Sequence, residues 1–315
     1  MITDTMMSKN FISLVLGLDC NCQCSYCYQN ILKEKCHKVL GKKDLDRVVR
    51  YITGRYKENT NTALTLFGGE PLLYLDDIKY ILSSLNGTQG MFKRLFTNAY
   101  LLTEEIVDLL NRYHVHVIIS NDGEDSERVR GYNILKDKKI VRLIQSLDSY
   151  AISSVVYSGN EDVFKTNRYL RKYLHNLKSN MFTPMQVYSD TEKYVNDFDF
   201  EMYRDSMVRS FYAGYQCISI FGGYRSGFST FTDGSIMNLN TNTLVGRIDK
   251  DGIRHDFDVE KELRKKSGCL FEECEWYKSK FCCGKVYQIE DNVFCRKVAK
   301  VHKEIFDEIQ GSVQK

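Results

Sequence analysis

The chain has 315 residues, 43% apolar and 27% charged, with a formal charge of +3, 11 cysteines and two prolines. At roughly 100–200 residues per domain, this is one large domain, or one domain with an appendage, of ordinary globular composition, which excludes general disorder and a fibrous repeat. The weak positive charge argues against a dedicated nucleic-acid binder; no apolar run approaches the roughly 18–20 residues of a membrane span, and the N-terminus has no basic flank before an apolar core, so a cytoplasmic protein with no membrane partner is expected.

Up to about residue 190 the chain alternates short β-rich runs with longer helical ones, the pattern of βα units around a parallel sheet. Strands are predicted at 11–18, 63–67, 94–97, 115–120, 151–157 and 181–188. Helices are predicted between them at 43–56, 75–85, 103–113, 134–147 and 161–177, with another at 198–213. Six such units make a partial (β/α)6 barrel rather than a complete eight-unit one. The style changes near residue 215: residues 228–239 alternate around Asp233-Gly234, a hairpin signal, a cysteine-rich stretch follows from Gly268, and a charged amphipathic helix is expected over 296–310. Two domains are expected, 1–214 and 215–315.

Cysteines in a chain without a signal peptide point to ligands or catalytic thiols rather than disulfides. Cys20, Cys22, Cys24 and Cys27 cluster after the first predicted strand, and Cys269, Cys274, Cys282, Cys283 and Cys295 cluster near the end. Cys20, Cys24 and Cys27 are spaced CxxxCxxC. Three thiolates in one short loop can hold three irons of a [4Fe–4S] cluster and leave the fourth open to a small molecule; the bland alternatives are a zinc site or buried thiols. Cys22 lies outside the spacing and reads as a spare loop residue. Cys36 and His37, on a basic stretch, read as packing or surface residues, and His114 and His116 as ordinary strand residues.

This loop, with aromatic Tyr26 before its third cysteine, resembles the signature of the radical S-adenosylmethionine (radical SAM) enzymes. Gly68-Gly69-Glu70-Pro71 after the second strand is similar to that family's GGEP motif. Thr97-Asn98 is similar to its TNG segment, with Ala99 in place of the glycine, and Ser120-Asn121-Asp122-Gly123 to its SxDG segment, with Arg130 downstream. The resemblance implies that Cys20, Cys24 and Cys27 bind the cluster, that Tyr26 lies near the adenine of SAM, that Glu70 pairs with its ammonium, and that Gly68, Gly69, Asn98, Ser120, Asp122 and Arg130 complete the cofactor site. Taken singly, Ser120 and Asp122 read equally well as turn or helix-cap residues.

The second cluster resembles the SPASM/twitch extension of peptide-modifying members, a small iron–sulfur domain that begins with a hairpin. The match is incomplete. Leu239 stands where a ligand is expected, and the chain has six cysteines after residue 200 where the full extension carries seven. The resemblance therefore implies one auxiliary [4Fe–4S] cluster, held by Cys269, Cys274, Cys295 and either Cys282 or Cys283; a zinc ribbon is the alternative. Cys217 then has no partner. It is either an inert buried thiol or a hydrogen-atom donor to a substrate radical, which would invert a residue from L to D. The expected function is SAM cleavage followed by hydrogen abstraction from a ribosomally made precursor peptide. Epimerisation by Cys217 leads, thioether or carbon–carbon crosslinking is an alternative, and a small-molecule substrate is a rival. Flavodoxin or ferredoxin is the expected electron donor. A first strand near residue 11 leaves no room for an N-terminal leader-binding domain, so leader recognition is expected of the C-terminal region, the barrel rim or a separate partner.

Overall fold

The computed structural model describes residues 10–27, 42–85, 88–184, 194–219, 228–238, 243–252, 254–256 and 293–313. Strands β1 (Asn10–Val15), β2 (Thr62–Phe67), β3 (Phe92–Thr97), β4 (Val115–Ser120), β5 (Tyr150–Val156), β6 (Ser179–Pro184) and β7 (Gln216–Ser219) are parallel and pair in chain order. Helices α1 (Leu45–Glu58), α2 (Leu75–Ser84), α3 (Glu104–Arg112), α4 (Ser126–Arg130), α5 (Lys138–Gln145), α6 (Val163–Tyr173) and α7 (Phe200–Tyr212) lie in the connections. The result is the expected open, barrel-like α/β fold with one more parallel strand than predicted: β7 pairs with β6 from Ser179↔Gln216 to Phe182↔Ser219.

Local chemistry sets the element boundaries. Asp44, Thr103, Asp162 and Asp199 each precede a helix and accept a backbone N–H from its first turn, a cap worth about 1 kcal/mol. The single helix expected over 134–147 is divided. A 3-10 turn at Ile134–Lys136 ends at Asp137, whose carboxylate accepts from Lys139 N at 2.7 Å and starts α5 afresh. Along β2, Leu64 and Leu66 join the core shared with Ile52 of α1 and Ile78 and Ile81 of α2. Alternation then turns Thr65 and Phe67 to the other face of the sheet.

The predicted hairpin forms as β8 (Phe228–Phe231) and β9 (Ser235–Asn238), and Gly234 takes φ +81° in its turn. Strands β10 (Thr243–Ile248) and β11 (Arg254–Asp256) extend it antiparallel. Strand β8 pairs parallel with β1 from Ser13↔Ser229 to Val15↔Phe231, so one sheet runs β11-β10-β9-β8-β1-β2-β3-β4-β5-β6-β7. The style change read near residue 215 falls just before β7, and the strands on either side of it share that sheet.

Helix α8 (Val293–Val313) packs on α7 through Val301 and Ile305 against Tyr203 and Met207, and Arg204 pairs with Glu304 and Glu308. No helix among the described residues is long and apolar enough to cross a membrane. The Tyr203 hydroxyl and Nε2 of His302 share a hydrogen bond at 2.9 Å, and burial pushes this imidazole down from 6.5 to about 3. The unfolded chain therefore takes up the proton first as pH falls. Stability from this site is complete above the ordinary imidazole value and is withdrawn progressively towards the folded one. Urea unfolding is expected to lose about 2 kcal/mol from His302 between pH 7 and pH 5, and His302→Gln, whose amide offers Tyr203 both a donor and an acceptor, should flatten that dependence.

Candidate active site

The chain leaving β1 continues alongside the turn that follows β2. Leu16 N donates to Phe67 O at 2.9 Å, Gly69 N to Gly17 O at 2.9 Å and Glu70 N to Asp19 O at 2.8 Å. The glycines are required by this close approach. A Cβ at Gly68, where φ is +151°, would lie 2.3 Å from Gly17 O; one at Gly69 would lie 2.1 Å from Asp19 O. What approaches the Gly-Gly turn is thus the backbone leading into Cys20. Tyr74 closes the other side: its ring occupies the space over Gly17, its hydroxyl oxygen accepts from Asp19 N at 3.1 Å, and it donates to Asp19 Oδ2 at 2.8 Å.

Glu70 is 1% exposed and accepts from Leu72 N and the Thr97 hydroxyl on Oε1 and from Asn98 N on Oε2. Burial pushes its carboxyl up to about 7 against the opposing effect of those donors. Thr97 Oγ1 also accepts from Ala99 N at 2.9 Å, and Ala99 adopts φ +61°. That is the left-handed conformation for which glycine is the unstrained choice.

The middle of the cysteine loop is held by Asn98. Its amide donates to Asn21 Oδ1 at 2.7 Å and to Cys22 Sγ at 3.0 Å. The Cys22 thiol in turn donates to the Tyr132 hydroxyl, which donates to the Asn98 carbonyl. Cys22 is therefore built into a closed ring of contacts, and the proximity of Cys20 together with burial pushes its thiol far up. Sequence reasoning missed Tyr74 and Tyr132; among 21 tyrosines, neither carries a spacing that distinguishes it.

The end of the loop meets α4. Ser25 N donates to Val129 O at 2.8 Å, and the buried Tyr26 hydroxyl donates to Asp122 Oδ2. Asp122 is paired with Arg130 at 2.8 Å, their side chains 0% and 8% exposed, and the Arg130 guanidinium lies 5.5 Å from the Tyr26 ring centre. Asp122 and Arg130, expected at the cofactor, are thus bonded to each other and to Tyr26. Ser120 ends β4 half-buried, level with Ser153 of β5.

Cys20, Cys24 and Cys27 are half-buried thiols of this one loop. No three His, Cys, Asp or Glu side chains among the described residues converge closely enough to hold a single metal ion. A cubane requires a different arrangement, one thiolate at each of three corners, and three thiols spread along a backbone fixed at both ends and in the middle fit it. Cys269, Cys274, Cys282 and Cys283 lie outside the described residues. Cys295 stands in the first turn of α8, its side chain likewise outside them. Cys217 is on β7, level with Asn180.

A cysteine loop at the carboxyl edge of an open parallel α/β barrel is the architecture of an iron–sulfur enzyme. Residues 14–197 match the radical SAM superfamily, more than half of the chain, and the protein belongs to that superfamily of enzymes. The chain is similar to the radical SAM cyclopropyl synthase TigE of Paramaledivibacter caminithermalis, 26% identical over 181 residues, which are 50% of this chain and 37% of that protein's length. It is also 26% identical over 201 residues to an uncharacterized protein of Methanothermobacter thermautotrophicus, covering 58% of this chain and 71% of that one. Among solved structures, anSMEcpe with bound AdoMet and Kp18Cys peptide matches with a TM-score of 0.70 at 17% identity, covering 96% of this chain and 99% of that one. SuiB of Streptococcus suis bound to precursor peptide SuiA matches with a TM-score of 0.59 at 13% identity, covering 88% and 70%.

Substitutions in the turn and in the loop test this construction. Gly69→Ala must displace the Asp19 carbonyl, so SAM cleavage is expected to fall on the order of 100-fold, as misplacements near 1 Å can do, with a lowered melting temperature because the atom that must move is backbone. Cys22→Ala should keep the iron of the first cluster, measured after anaerobic reconstitution, whereas alanine at Cys20, Cys24 or Cys27 should lose it.

Proposed function

We propose that this enzyme abstracts hydrogen from a peptide. The observation that carries the proposal is the loop of Cys20, Cys24 and Cys27, secured to the ends of β2, β3 and β4 at the carboxyl edge of the sheet. When bound there, a [4Fe–4S] cluster supplies the electron that cleaves SAM to methionine and a 5′-deoxyadenosyl radical. Around it the chain provides positions rather than reactive groups. Glu70, with three of about four acceptor directions taken, keeps one for an ammonium. Asn98 and Ser120 stand at the ends of the next two parallel strands. Phe67 and Phe96, the last apolar residues of β2 and β3, meet edge to face at 5.7 Å and are half-buried.

The peptide substrate is supported by the match in fold to anSMEcpe and SuiB, each solved with a peptide. An electron donor of flavodoxin or ferredoxin type, and one auxiliary cluster on Cys269, Cys274, Cys295 and one of Cys282 and Cys283, complete the proposal. Epimerisation by Cys217 draws on its place in the sequence alone. The register sets Cys217 level with Asn180, whose own amide bonds Asn167 of the helix layer at 3.0 Å.

Reconstituted enzyme given SAM and a reductant should release 5′-deoxyadenosine and hold about eight irons per chain, the content of two cubanes. Bound zinc without SAM cleavage would sink the proposal. Candidate peptides treated in deuterated water and weighed by mass spectrometry separate the outcomes. Solvent deuterium enters on epimerisation, a pair of hydrogens is lost on crosslinking, and no change in any peptide points to a small-molecule substrate. Under epimerisation, Cys217→Ser should still cleave SAM while yielding little D-residue.

A further inference from the structure

We infer that Asp122, held by Arg130, is a positioning residue for the iron-binding loop and acts through Tyr26 rather than through SAM. The inference rests on Cys20, Cys24 and Cys27 being the cluster ligands.

The carboxylate of Asp122 is fully used within the protein. Oδ2 accepts from the Tyr26 hydroxyl at 2.5 Å and Arg130 Nε at 2.8 Å; Oδ1 accepts from Arg130 Nη2 at 3.2 Å and Val155 N at 2.8 Å. An ionised carboxylate has about four acceptor directions, so four donors saturate it and none is left for a ligand. Its backbone is fixed as well, because Asp122 N donates to Ser126 Oγ at 2.7 Å. The group thus stands rigidly at the end of β4, tied to β5 through Val155 N and to α4 through Arg130, and the Tyr26 hydroxyl is the donor it receives from the cysteine loop.

Tyr26 lies between Cys24 and Cys27, and Cys27 N donates back to Cys24 O at 3.1 Å. A shift of Tyr26 therefore moves two thiols together. Its ring is enclosed by Tyr157 at 5.8 Å and Tyr194 at 6.3 Å and by the Arg130 guanidinium, while Ser25 N is tied to Val129 O. Packing holds the ring, and the hydroxyl sets its depth and rotation. Buried ion pairs of this kind are unforgiving of a lost partner, so the pair acts as a fixed post rather than an adjustable contact.

A role through the loop and a role through SAM differ in one observable: the state of the cluster before SAM is added. Wild type, Tyr26→Phe and Asp122→Asn are reconstituted anaerobically, assayed for iron and reduced, and their electron paramagnetic resonance spectra are recorded with and without SAM. Circular dichroism melts report folding. Tyr26→Phe keeps the ring packing and should melt like wild type, yet its SAM-free signal should be shifted or broadened and the KM for SAM raised roughly tenfold. Asp122→Asn should reproduce the altered signal, and the double variant should add little to it, because both remove one interaction. If Asp122→Asn fails to fold, Tyr26→Phe decides alone. Variants whose SAM-free spectra match wild type while SAM binding weakens would show direct contact and overturn the inference, as would variants matching wild type throughout. A wild-type protein that takes up no cluster overturns the proposed function instead, and this inference with it.

Discussion

Two backbone hydrogen bonds beyond the end of the β1–β2 ladder, Gly69 N to Gly17 O and Glu70 N to Asp19 O, determine where the cysteine loop leaves the sheet. They are short-range and need no particular side chain, but they impose a steric condition on both partners. The chain at Gly17 and the turn at Gly68 and Gly69 approach so closely that a methyl group at any of the three would meet another atom at 2.1–2.3 Å. Everything that follows in the site inherits its placement from that contact. Cys20 is the next residue after Asp19, and Glu70 begins the hydrogen-bonded path to Thr97 and Asn98.

The site is consequently a convergence of strand ends on one loop rather than a pocket lined by independent groups. The end of β2 holds its entrance, the end of β3 its middle through Asn98, and the end of β4 its exit through Asp122. Each attachment uses a different kind of contact: backbone pairing, neutral side-chain hydrogen bonds, and a phenol hydrogen bond to a carboxylate that is itself held in a buried ion pair.

Much of this was legible in the sequence. Short β-rich runs set between longer helical stretches located β1 to β6, and β4 was read with its observed ends. Strand β7 was invisible because Gln216–Ser219 is a short run with a single β-branched residue, Ile218, lying where the composition changes. The helix break at Asp137 was missed because an N-cap inside a continuing apolar pattern has no local signature beyond one aspartate. Motif spacing placed the cysteine loop and the Gly-Gly turn together. It did not show that the glycines serve the loop's own backbone, that Cys22 is a structural contact, or that Asp122 faces Tyr26, since each depends on residues distant in the chain. Tyr74 and Tyr132 had no sequence signal at all.

The single sheet has a consequence for how this protein can be dissected. Strand β7 covers the free edge of β6, and β8 covers the free edge of β1, with both covering strands drawn from after residue 214. A barrel fragment ending at the change of style would leave two rows of unpaired backbone amides and carbonyls, one along β1 and one along β6, the condition that favours strand-to-strand association between copies. The barrel and the segment that follows it thus differ in composition but are joined in their backbone hydrogen bonding.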